Sequence, residues 1–463
     1  MAHPPFAILI LAAGKGTRMR SALPKVLHKV AGRPMIAHVL AAAAGLKPTH
    51  TAVVVAPGMD EVAAAVAPAD IIIQRRQRGT GDAVAAAKPL LGRFKGDVLV
   101  LYGDAPLLTR DSLKPLFDAR RRHPAAAAIV LGMQLAEGGP YGRLILAADG
   151  SLARIVEAND ANDAERAVTL CNSGIMLANA AILFDLVAQL GTANVKGEYY
   201  LTDVVALARA RGLACRVAEG NAEELLGVNS RAELAFAEAV MQQRLRYAAM
   251  EAGATLVAPE TVFFSADTKI GADTTIGPFT IFGPGVKIGE RVTINGFCHI
   301  AGAIIGDDAI IGPYARLRPG AQLSDNVHIG NFVEVKNSKL ASGVKANHLA
   351  YIGDSSVGEA SNIGAGSITC NYDGIEKFRT IIGKGVFIGT NASLVAPVTI
   401  GAGAMIAAGS VITDNVPAEA LALGRARQKT KPGAAKLWRS ARQAALAARD
   451  KVKPQGKPKR RKR

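Results

Sequence analysis

Cysteine and aromatic residues are scarce in this 463-residue chain, which has four cysteines and one tryptophan. The cysteines are far apart and form no CxxC pair, so the sequence has neither a zinc pattern nor a disulfide framework. No apolar run approaches the ~18 residues of a transmembrane helix, and no basic-then-apolar leader opens the chain. We therefore expect a protein of the reducing cytoplasm. The four cysteines are Cys171, Cys215, Cys298 and Cys370.

Acidic residues are almost missing from one part of the chain, its C-terminal end. Residues 425–463 hold 16 Lys/Arg and one acid, a net charge of +15, whereas the other 424 residues hold 39 basic and 37 acidic side chains, a net charge of +2. The total of +17 therefore describes a tail rather than a nucleic-acid-binding domain, and no nucleic-acid partner is expected. We expect residues 426–463 to be a basic, disordered tail with one helix candidate at 436–452.

The first half of the chain alternates apolar runs with Ala-rich segments. Segments such as 34–45 and 80–91 suit helices, and the runs between them suit buried strands. This alternation predicts an α/β domain over residues 1–229, with a mostly parallel, Rossmann-like sheet covered by helices on both faces. The clearest strand candidates are FAILILAA (6–13), TAVVVA (51–56), DVLVLYGD (97–104) and AAIVLGM (127–133).

A single long helix is predicted after this domain. Ser230 and Glu233 form a capping-box pattern, and Gly253 suits the end of the helix. We therefore interpret residues 230–250 as a linker helix that leads into a second domain.

From residue 251 to 425 the chain has a six-residue period. Such a period fits neither a helix nor a simple strand, and a fixed repeat indicates a solenoid. The pattern resembles the hexapeptide-repeat transferases, whose left-handed parallel β-helix has three hexads per coil; the left hand comes from that resemblance, since crossovers are usually right-handed. The repeating positions are Ile270, Ile276, Phe282, Ile288, Ile294 and Ile300, then, one residue early, Ile305, Ile311, Leu317, Leu323, Ile329 and Val335, and later Val357, Ile363, Ile382, Ile388, Leu394, Ile400 and Ile406.

Two segments interrupt this period, and interruptions are where a solenoid carries its chemistry. The stretch 367–380 is turn-rich and contains Asn371 and Tyr372. The stretch 336–351 is also predicted to be irregular, and it places His348 in a dense polar cluster. A neutral histidine is the usual general base near neutral pH.

The most informative motif is LAAGKGTRM at 11–19, followed by a Pro-Lys pair that ends at Lys25. A strand that ends in a Gly-rich, cationic loop offers backbone N–H groups and fixed charge to a nucleotide triphosphate. Met19 stands where a dinucleotide fingerprint needs a third glycine, and the Gly-Lys-Ser/Thr end of a Walker loop is missing. The remaining pattern resembles that of sugar-1-phosphate nucleotidyltransferases.

Polar residues follow later strand candidates. Asp104 ends the strand candidate at 97–104, at the carboxyl edge where open α/β sheets bind ligands. Asn229 could supply a second oxygen, and Mg²⁺ prefers one or two protein oxygens together with phosphate and water. A strand-end aspartate is more often a simple cap, so this assignment depends on the set of motifs that accompanies it.

Nearly the whole chain up to the basic tail resembles the bacterial bifunctional N-acetylglucosamine-1-phosphate uridyltransferase/glucosamine-1-phosphate acetyltransferases. The resemblance implies Mg²⁺-dependent uridylyl transfer from UTP, with Arg18 and Lys25 neutralising the triphosphate and Asp104 and Asn229 holding the metal. Asp82 departs from the histidine common in relatives. The implied nucleotide- and sugar-binding residues are Leu11, Ala12, Ala13, Gly14, Lys25, Gln74, Gly79, Thr80, Tyr102, Gly103, Asp104, Gly142, Glu157, Asn172 and Asn229.

For the second half the resemblance implies acetyl transfer from acetyl-CoA to glucosamine-1-phosphate, with His348 as the general base. Arg316 and Arg318 are both phosphate candidates, and Arg318 is favoured because it directly precedes Pro-Gly. A homotrimer is implied as well. The implied sugar-phosphate residues are Arg318, Lys336, Tyr351 and Asn362, and the implied acetyl-CoA residues are Ala365, Asn371, Tyr372, Thr390, Ala408 and Arg425.

Two other readings of the sequence stay open at this point. In one, the chain is a nucleotidyltransferase whose β-helix only oligomerises or regulates; in the other, it is a non-catalytic scaffold. The first leaves the His348 cluster and the Asn371–Tyr372 loop without a use, and the second predicts loss of Arg18, Lys25 or Asp104, all of which are present. The tail could meet an anionic membrane, nucleic acid or the phosphates of coenzyme A, and the sequence does not choose among them.

Overall fold

A computed structural model describes residues 5–452 of the chain. The N-terminal domain contains a nine-stranded sheet with the strand order β11-β7-β10-β6-β1-β4-β5, and a β8–β9 hairpin attached to β10. All neighbours along this path are parallel except β10, which is antiparallel to both β6 and β7. The nine strands of this sheet are β1 (Phe6–Leu11), β4 (His50–Val55), β5 (Asp70–Ile73), β6 (Asp97–Tyr102), β7 (Ala128–Gln134), β8 (Arg143–Leu146), β9 (Leu152–Val156), β10 (Leu170–Asn179) and β11 (Cys215–Glu219). Strands β2 (Lys29–Val30) and β3 (Arg33–Pro34) pair with each other in a separate two-stranded sheet.

Helices cover both faces of this sheet. In β1, Ala7 and Leu9 belong to one buried apolar cluster, and Ile8 and Ile10 belong to another on the opposite face. A strand buried on both faces explains the unbroken apolar run at the start of the chain. The predicted helix at 80–91 is split at Ala87 into two. The helices are α1 (Met35–Ala44), α2 (Asp60–Ala65), α3 (Thr80–Ala86), α4 (Lys88–Leu91), α5 (Arg110–Arg122), α6 (Asp163–Arg166), α7 (Ala180–Val187), α8 (Asp203–Ala210), α9 (Ala222–Leu225), α10 (Arg231–Glu251) and α11 (Ala434–Val452).

Helix α10 joins the two domains. Its capping box is present as predicted: the Ser230 side chain accepts from the Glu233 N–H, and the Glu233 side chain accepts from the Ser230 N–H. Near its middle, the Gln242 amide makes hydrogen bonds of 2.7 Å to both the N–H and the carbonyl of Phe264 in the first coil of the solenoid. The helix is therefore capped at its start and attached to the solenoid at its centre by side-chain hydrogen bonds.

The second half is a left-handed parallel β-helix, so the predicted fold class is confirmed for both halves. Three parallel sheets of ten, eight and eight strands form its sides. The ranges of the first sheet are 255–256, 275–276, 293–294, 310–311, 328–331, 345–348, 362–363, 387–388, 405–406 and 421–422; those of the second are 269–270, 287–288, 304–305, 322–323, 339–340, 355–357, 380–382 and 398–400; those of the third are 281–282, 299–300, 316–317, 334–336, 351–353, 368–370, 393–395 and 411–412.

The prediction that residues 336–351 leave the repeat is wrong. Ile329 pairs with Ala346, Val335 with Ile352, and Leu323 with Leu340, so the coil register continues through this segment. The six-residue signal fades there because Ala346 occupies an inward position that is elsewhere aliphatic, and because one residue is dropped before Leu340. The interruption at 367–380 is real: from Ile368 to its partner Ser393 the step lengthens to 25 residues.

The helix candidate at 436–452 within the basic tail is present as α11, which occupies residues 434–452. Alanine, leucine, arginine and lysine dominate this segment, and all four favour helix. Residues 453–463 lie outside the described part of the chain. Among the helices within residues 5–452, none is both long and apolar enough to cross a membrane.

Ile310 and Ile311 are adjacent in one solenoid strand but differ in burial, since Ile311 is fully buried and Ile310 is 40% exposed. We expect Ile311→Ala to destabilise the solenoid by about 2–5 kcal/mol, because it leaves a cavity in a packed interior. Ile310→Ala is the matched control and should cost far less. Thermal unfolding followed by circular dichroism measures both variants; equal shifts in melting temperature would contradict the inward assignment of the six-residue pattern.

Candidate functional sites

The Gly-rich loop after β1 brings Lys25 against the end of the sheet. Gly16 has a φ of +60°, and a Cβ atom there would lie 2.6 Å from the Cβ of Lys25. Glycine at this position therefore permits the close approach of the segment that carries Lys25.

The ammonium group of Lys25 lies between two oxygen-bearing side chains. It forms an ion pair with the carboxylate of Asp104, which follows β6, and it donates a 3.0 Å hydrogen bond to Oδ1 of Asn229, which precedes α10. The side chains of Lys25 and Asp104 are each 14% exposed. Asp104 and Asn229, from segments distant in sequence, thus form one position for a cation, and the ammonium group of Lys25 occupies it.

This arrangement fits a magnesium ion. Within residues 5–452 no group of three or more His, Cys, Asp or Glu side chains converges on a metal position, so an all-protein cage is not what the chain provides. One carboxylate and one amide oxygen, on either side of a bound ammonium, match the ligand demand of a cation that completes its shell with phosphate and water.

A cavity of about 730 Å³ opens beside this position. Almost all the residues of the first half that the sequence predicts to bind nucleotide, sugar or metal line this cavity. Gly103 is the exception: a Cβ there would lie 3.2 Å from side-chain atoms of Ile36 and Val26, so this glycine faces the packed interior. The predicted residues that line the cavity are Leu11, Ala12, Ala13, Gly14, Arg18, Lys25, Gln74, Gly79, Thr80, Tyr102, Asp104, Gly142, Glu157, Asn172 and Asn229.

Side chains that sequence reasoning did not assign hold two of these groups in place. Gln74 donates to Asp82 at 2.8 Å and to the Gly79 carbonyl at 3.1 Å, so Asp82 orients Gln74 instead of meeting phosphate. Glu157 accepts a 2.9 Å hydrogen bond from the Thr202 hydroxyl. Burial raises the pKa of Glu157 despite that hydrogen bond.

In the solenoid, the coil register places His348 beside Asn331. His348 Nδ1 lies 2.8 Å from the amide oxygen Oδ1 of Asn331. Because an amide oxygen can only accept, a neutral imidazole in this contact carries its hydrogen on Nδ1 and its lone pair on Nε2. His348 itself is exposed.

The predicted acetyl-CoA residues continue the column of His348. On successive coils, Lys345 pairs with Asn362, Asn362 with Phe387, and Phe387 with Met405. Three residues further along each coil, the same register stacks Ala365, Thr390 and Ala408 above His348. Arg425 reaches the same end, since its Cδ lies 3.9 Å from the position of a Cβ on Gly409.

The predicted phosphate clamp lies on the neighbouring sheet. Arg318 contacts Glu334 at 2.8 Å and Arg316 contacts it at 3.4 Å, so one carboxylate holds both candidates. Glu334 pairs in register with Tyr351, which brings that predicted sugar contact onto the coil above. Lys336 is half-buried at the end of the same strand as Glu334.

Asp354 contacts two of the predicted site residues, Lys336 and Asn371, and the sequence analysis did not single it out. It is buried, accepts hydrogen bonds from the side-chain amides of Asn337 and Asn371, and lies 4.0 Å from Nζ of Lys336. Burial alone would raise the pKa of Asp354, but the two amides and the charge of Lys336 outweigh it and lower the pKa. The signal in the sequence that could have indicated Asp354 is its spacing, because residues 337, 354 and 371 are each 17 residues apart.

The first domain has a cavity beside a cation position at the edge of an α/β sheet, and the second has an exposed histidine, His348, on a β-helix. Together they define a two-domain transferase. Residues 8–170 match the family model of the MobA-like NTP transferase domain. Residues 267–302, 302–337 and 379–414 match that of the bacterial transferase hexapeptide repeats.

The chain belongs to the family of the bifunctional protein GlmU. It is 52% identical to the protein of that name from Paramagnetospirillum magneticum, over 97% of this chain and 100% of the relative. It is 57% identical to the one from Rhodospirillum rubrum, over 94% and 97%. A crystal structure of UDP-glucose pyrophosphorylase with UDP-glucose aligns with 52% of this chain and 99% of that one, at 17% identity and a TM-score of 0.43.

Membership confirms the resemblance drawn from the sequence. The chain is a bifunctional enzyme of UDP-N-acetylglucosamine synthesis, with a uridyltransferase and an acetyltransferase half. The single-activity and scaffold readings are therefore wrong.

Asp354→Asn should impair acetyl transfer while leaving uridylyl transfer by the same molecules unchanged. The substitution keeps the shape but removes the charge that holds two amides and Lys336. We expect kcat/KM for acetylation to fall about 10–100-fold, since a hydrogen bond to a charged group contributes about 1.5–3 kcal/mol and 1.4 kcal/mol is tenfold.

The readout for Asp354→Asn is thiol release from acetyl-CoA, with KM for each substrate measured separately. A rise in both KM values indicates positioning of Lys336 and Asn371. The matched control is Asp373→Asn in the exposed part of the adjacent loop. Equal effects of the two substitutions, or a parallel loss of uridylyl transfer, would contradict a local role for Asp354.

Proposed function

We propose that the N-terminal cavity binds UTP and N-acetylglucosamine-1-phosphate, with Mg²⁺ on Asp104 and Asn229. The observation that carries this proposal is the ammonium of Lys25 between those two oxygens, because it marks a position already suited to a cation. When bound, Mg²⁺ supplies Lewis-acid neutralisation of the phosphate oxygens. Lys25 then exchanges its carboxylate partner for the triphosphate.

The remaining groups position the reactants. Arg18 and Lys25 neutralise the triphosphate, and the loop after β1 offers backbone N–H groups to it. The phosphate oxygen of the sugar attacks the α-phosphorus of UTP, a new P–O bond forms, and pyrophosphate leaves. No covalent enzyme intermediate is required, so orientation and electrostatic stabilisation supply the rate enhancement.

We propose His348 as the general base of acetyl transfer. Asn331 fixes the hydrogen on Nδ1, so Nε2 takes the proton as the amine of glucosamine-1-phosphate attacks the thioester carbonyl. The C–N bond forms, the C–S bond breaks, and the imidazolium of His348 returns the proton to the leaving sulfur, so that coenzyme A leaves as the thiol. Arg318 and Lys336 hold the sugar phosphate, and Tyr351 and Asn362 contact the sugar. Ala365, Thr390 and Ala408, in the column of His348, contact acetyl-CoA together with Asn371, Tyr372 and Arg425.

A homotrimer is part of this proposal. One corner of the solenoid presents Phe279, Phe297, Tyr314 and Phe332 in a continuous stack, with ring centroids 4.9–5.2 Å apart. Each of these side chains is about half exposed, and Leu349 continues the row directly beside His348. An exposed apolar row of this length supports contact with other copies of the chain. The free thiols of the four cysteines support a reducing, cytoplasmic setting.

Asp104→Ala should abolish pyrophosphate release and spare acetyl transfer. The measurement supplies glucosamine-1-phosphate, UTP, Mg²⁺ and acetyl-CoA, and follows pyrophosphate and free thiol together. Asp104→Asn, which keeps one oxygen ligand, should retain measurable uridylyl transfer at raised Mg²⁺. Full uridylyl transfer by Asp104→Ala would rule out the proposed metal position.

His348→Ala should lower acetyl transfer by about 10²- to 10⁴-fold, the usual contribution of a general base. Pyrophosphate release from supplied N-acetylglucosamine-1-phosphate and UTP should stay unchanged. His299→Ala, at an exposed position on the same solenoid, serves as the control. An unchanged acetylation rate in His348→Ala would remove His348 as the base.

A further inference from the structure

The side-chain amide of Gln74 is held by two acceptors at one edge of the N-terminal cavity. Its Nε2 atom donates to Oδ2 of Asp82 at 2.8 Å and to the backbone carbonyl of Gly79 at 3.1 Å. An ionised carboxylate and a carbonyl oxygen can only accept hydrogen bonds, so the nitrogen of this amide must face both of them. Both N–H groups of the Gln74 amide are therefore used within the protein.

The oxygen of the same amide has no such partner. Gln74 is only 4% exposed and it lines the cavity, yet within residues 5–452 no hydrogen bond reaches its Oε1 atom. Buried polar atoms are normally satisfied, so this oxygen is available to a bound molecule. Gln74 therefore offers the cavity an acceptor and no donor.

The strand order places Gln74 at the base end of a bound nucleotide. Gln74 directly follows β5 and Asp104 follows β6, with β1 and β4 between these two strands. Three strand spacings of 4.7–4.9 Å separate the two positions by about 14 Å. When the triphosphate lies at the cation position of Asp104, the base is the part of the nucleotide that extends this far.

Asp82 is itself fixed, and it lies behind Gln74. While its Oδ2 accepts from Gln74, its Oδ1 lies 3.7 Å from Nη2 of Arg78. The guanidinium of Arg78 in turn lies 5.0 Å from the centre of the Tyr199 ring. Asp82 does not line the cavity, so it acts on a bound nucleotide only through the Gln74 amide.

We propose that Asp82 is a positioning residue that determines which base the uridylyl-transfer site accepts. It holds the oxygen of Gln74 toward the cavity, where that oxygen accepts from a base edge that donates, such as the N3–H of uracil. Cytosine has an acceptor at N3, so two acceptors would then face each other, and a site built for a donor rejects the analogue that lacks it. The proposal rests on the binding of UTP in this cavity.

Two substitutions of Asp82 separate its acceptor oxygen from its charge. Asp82→Ala and Asp82→Asn both remove the negative charge from the first turn of α3, but only Asp82→Ala removes the acceptor. We expect the ratio of kcat/KM for UTP to kcat/KM for CTP to fall about tenfold or more in Asp82→Ala, because the shorter of the two hydrogen bonds that orient Gln74 is lost. Asp82→Asn should retain most of the ratio.

The measurement is pyrophosphate release from N-acetylglucosamine-1-phosphate and Mg²⁺ with each nucleotide in turn. Loosening of the structure around α3 would slow both nucleotides alike, so the ratio reports on the orientation of the amide. Gln74→Ala should lower the same ratio. In the Gln74→Ala background, Asp82→Ala should change it no further, because Asp82 then has no amide to hold.

Three results would overturn the role of Asp82. One is an unchanged ratio in Asp82→Ala, and another is an equal loss in Asp82→Asn, which would assign the effect to charge. The third is a further fall when Asp82→Ala is added to Gln74→Ala. Failure of the underlying binding proposal looks different, since Gln74→Ala would then leave kcat/KM unchanged for both nucleotides.

Discussion

Parallel hydrogen bonding between successive coils is the constraint on which the acetyl-transfer half depends. Most coils pair with the next at a step of 17 or 18 residues, for example Lys287 with Ile304 and Thr275 with Thr293. Because the backbone groups of one coil are satisfied by the next, a dropped residue is absorbed at a corner and the ladder is preserved. Side chains from distant positions therefore stack in fixed columns, which is how His348 meets Asn331 and Asp354 meets Asn337.

In the uridylyl-transfer half, the cation position ties the substrate cavity to the linker. Asn229, which holds the Lys25 ammonium, directly precedes the capping residue Ser230 of α10, and its own N–H donates to Glu233. The same helix is hydrogen-bonded to the first coil through Gln242. The cation site is thus built partly from the element that joins the two halves, which places Asn229 on a rigid support.

Local signals in the sequence predicted most of the architecture, because strands, the Gly-rich loop and the helix cap each depend on neighbouring residues. The errors concern features that need the third dimension. Ala346 hides the repeat because a small inward residue carries no aliphatic signal. Asp354 could be recognised only once the coil register had placed Asn337 and Asn371 on either side of it.

The two sites differ in how much of their enclosure one chain supplies. The uridylyl site is a cavity walled by a single protomer, whereas His348 and Tyr372 lie on open surface. Acyl transfer benefits from excluding water. The corner at His348 is open to solvent on one side, so a wall that would exclude water is missing there. Beside it stands a row in which bulky residues such as Phe332 and Leu349 hold positive φ angles of 57° and 50°, a conformation that L-residues adopt only at a cost. In the proposed trimer a second copy would supply the missing wall, and assembly and acetyl transfer would then depend on the same corner.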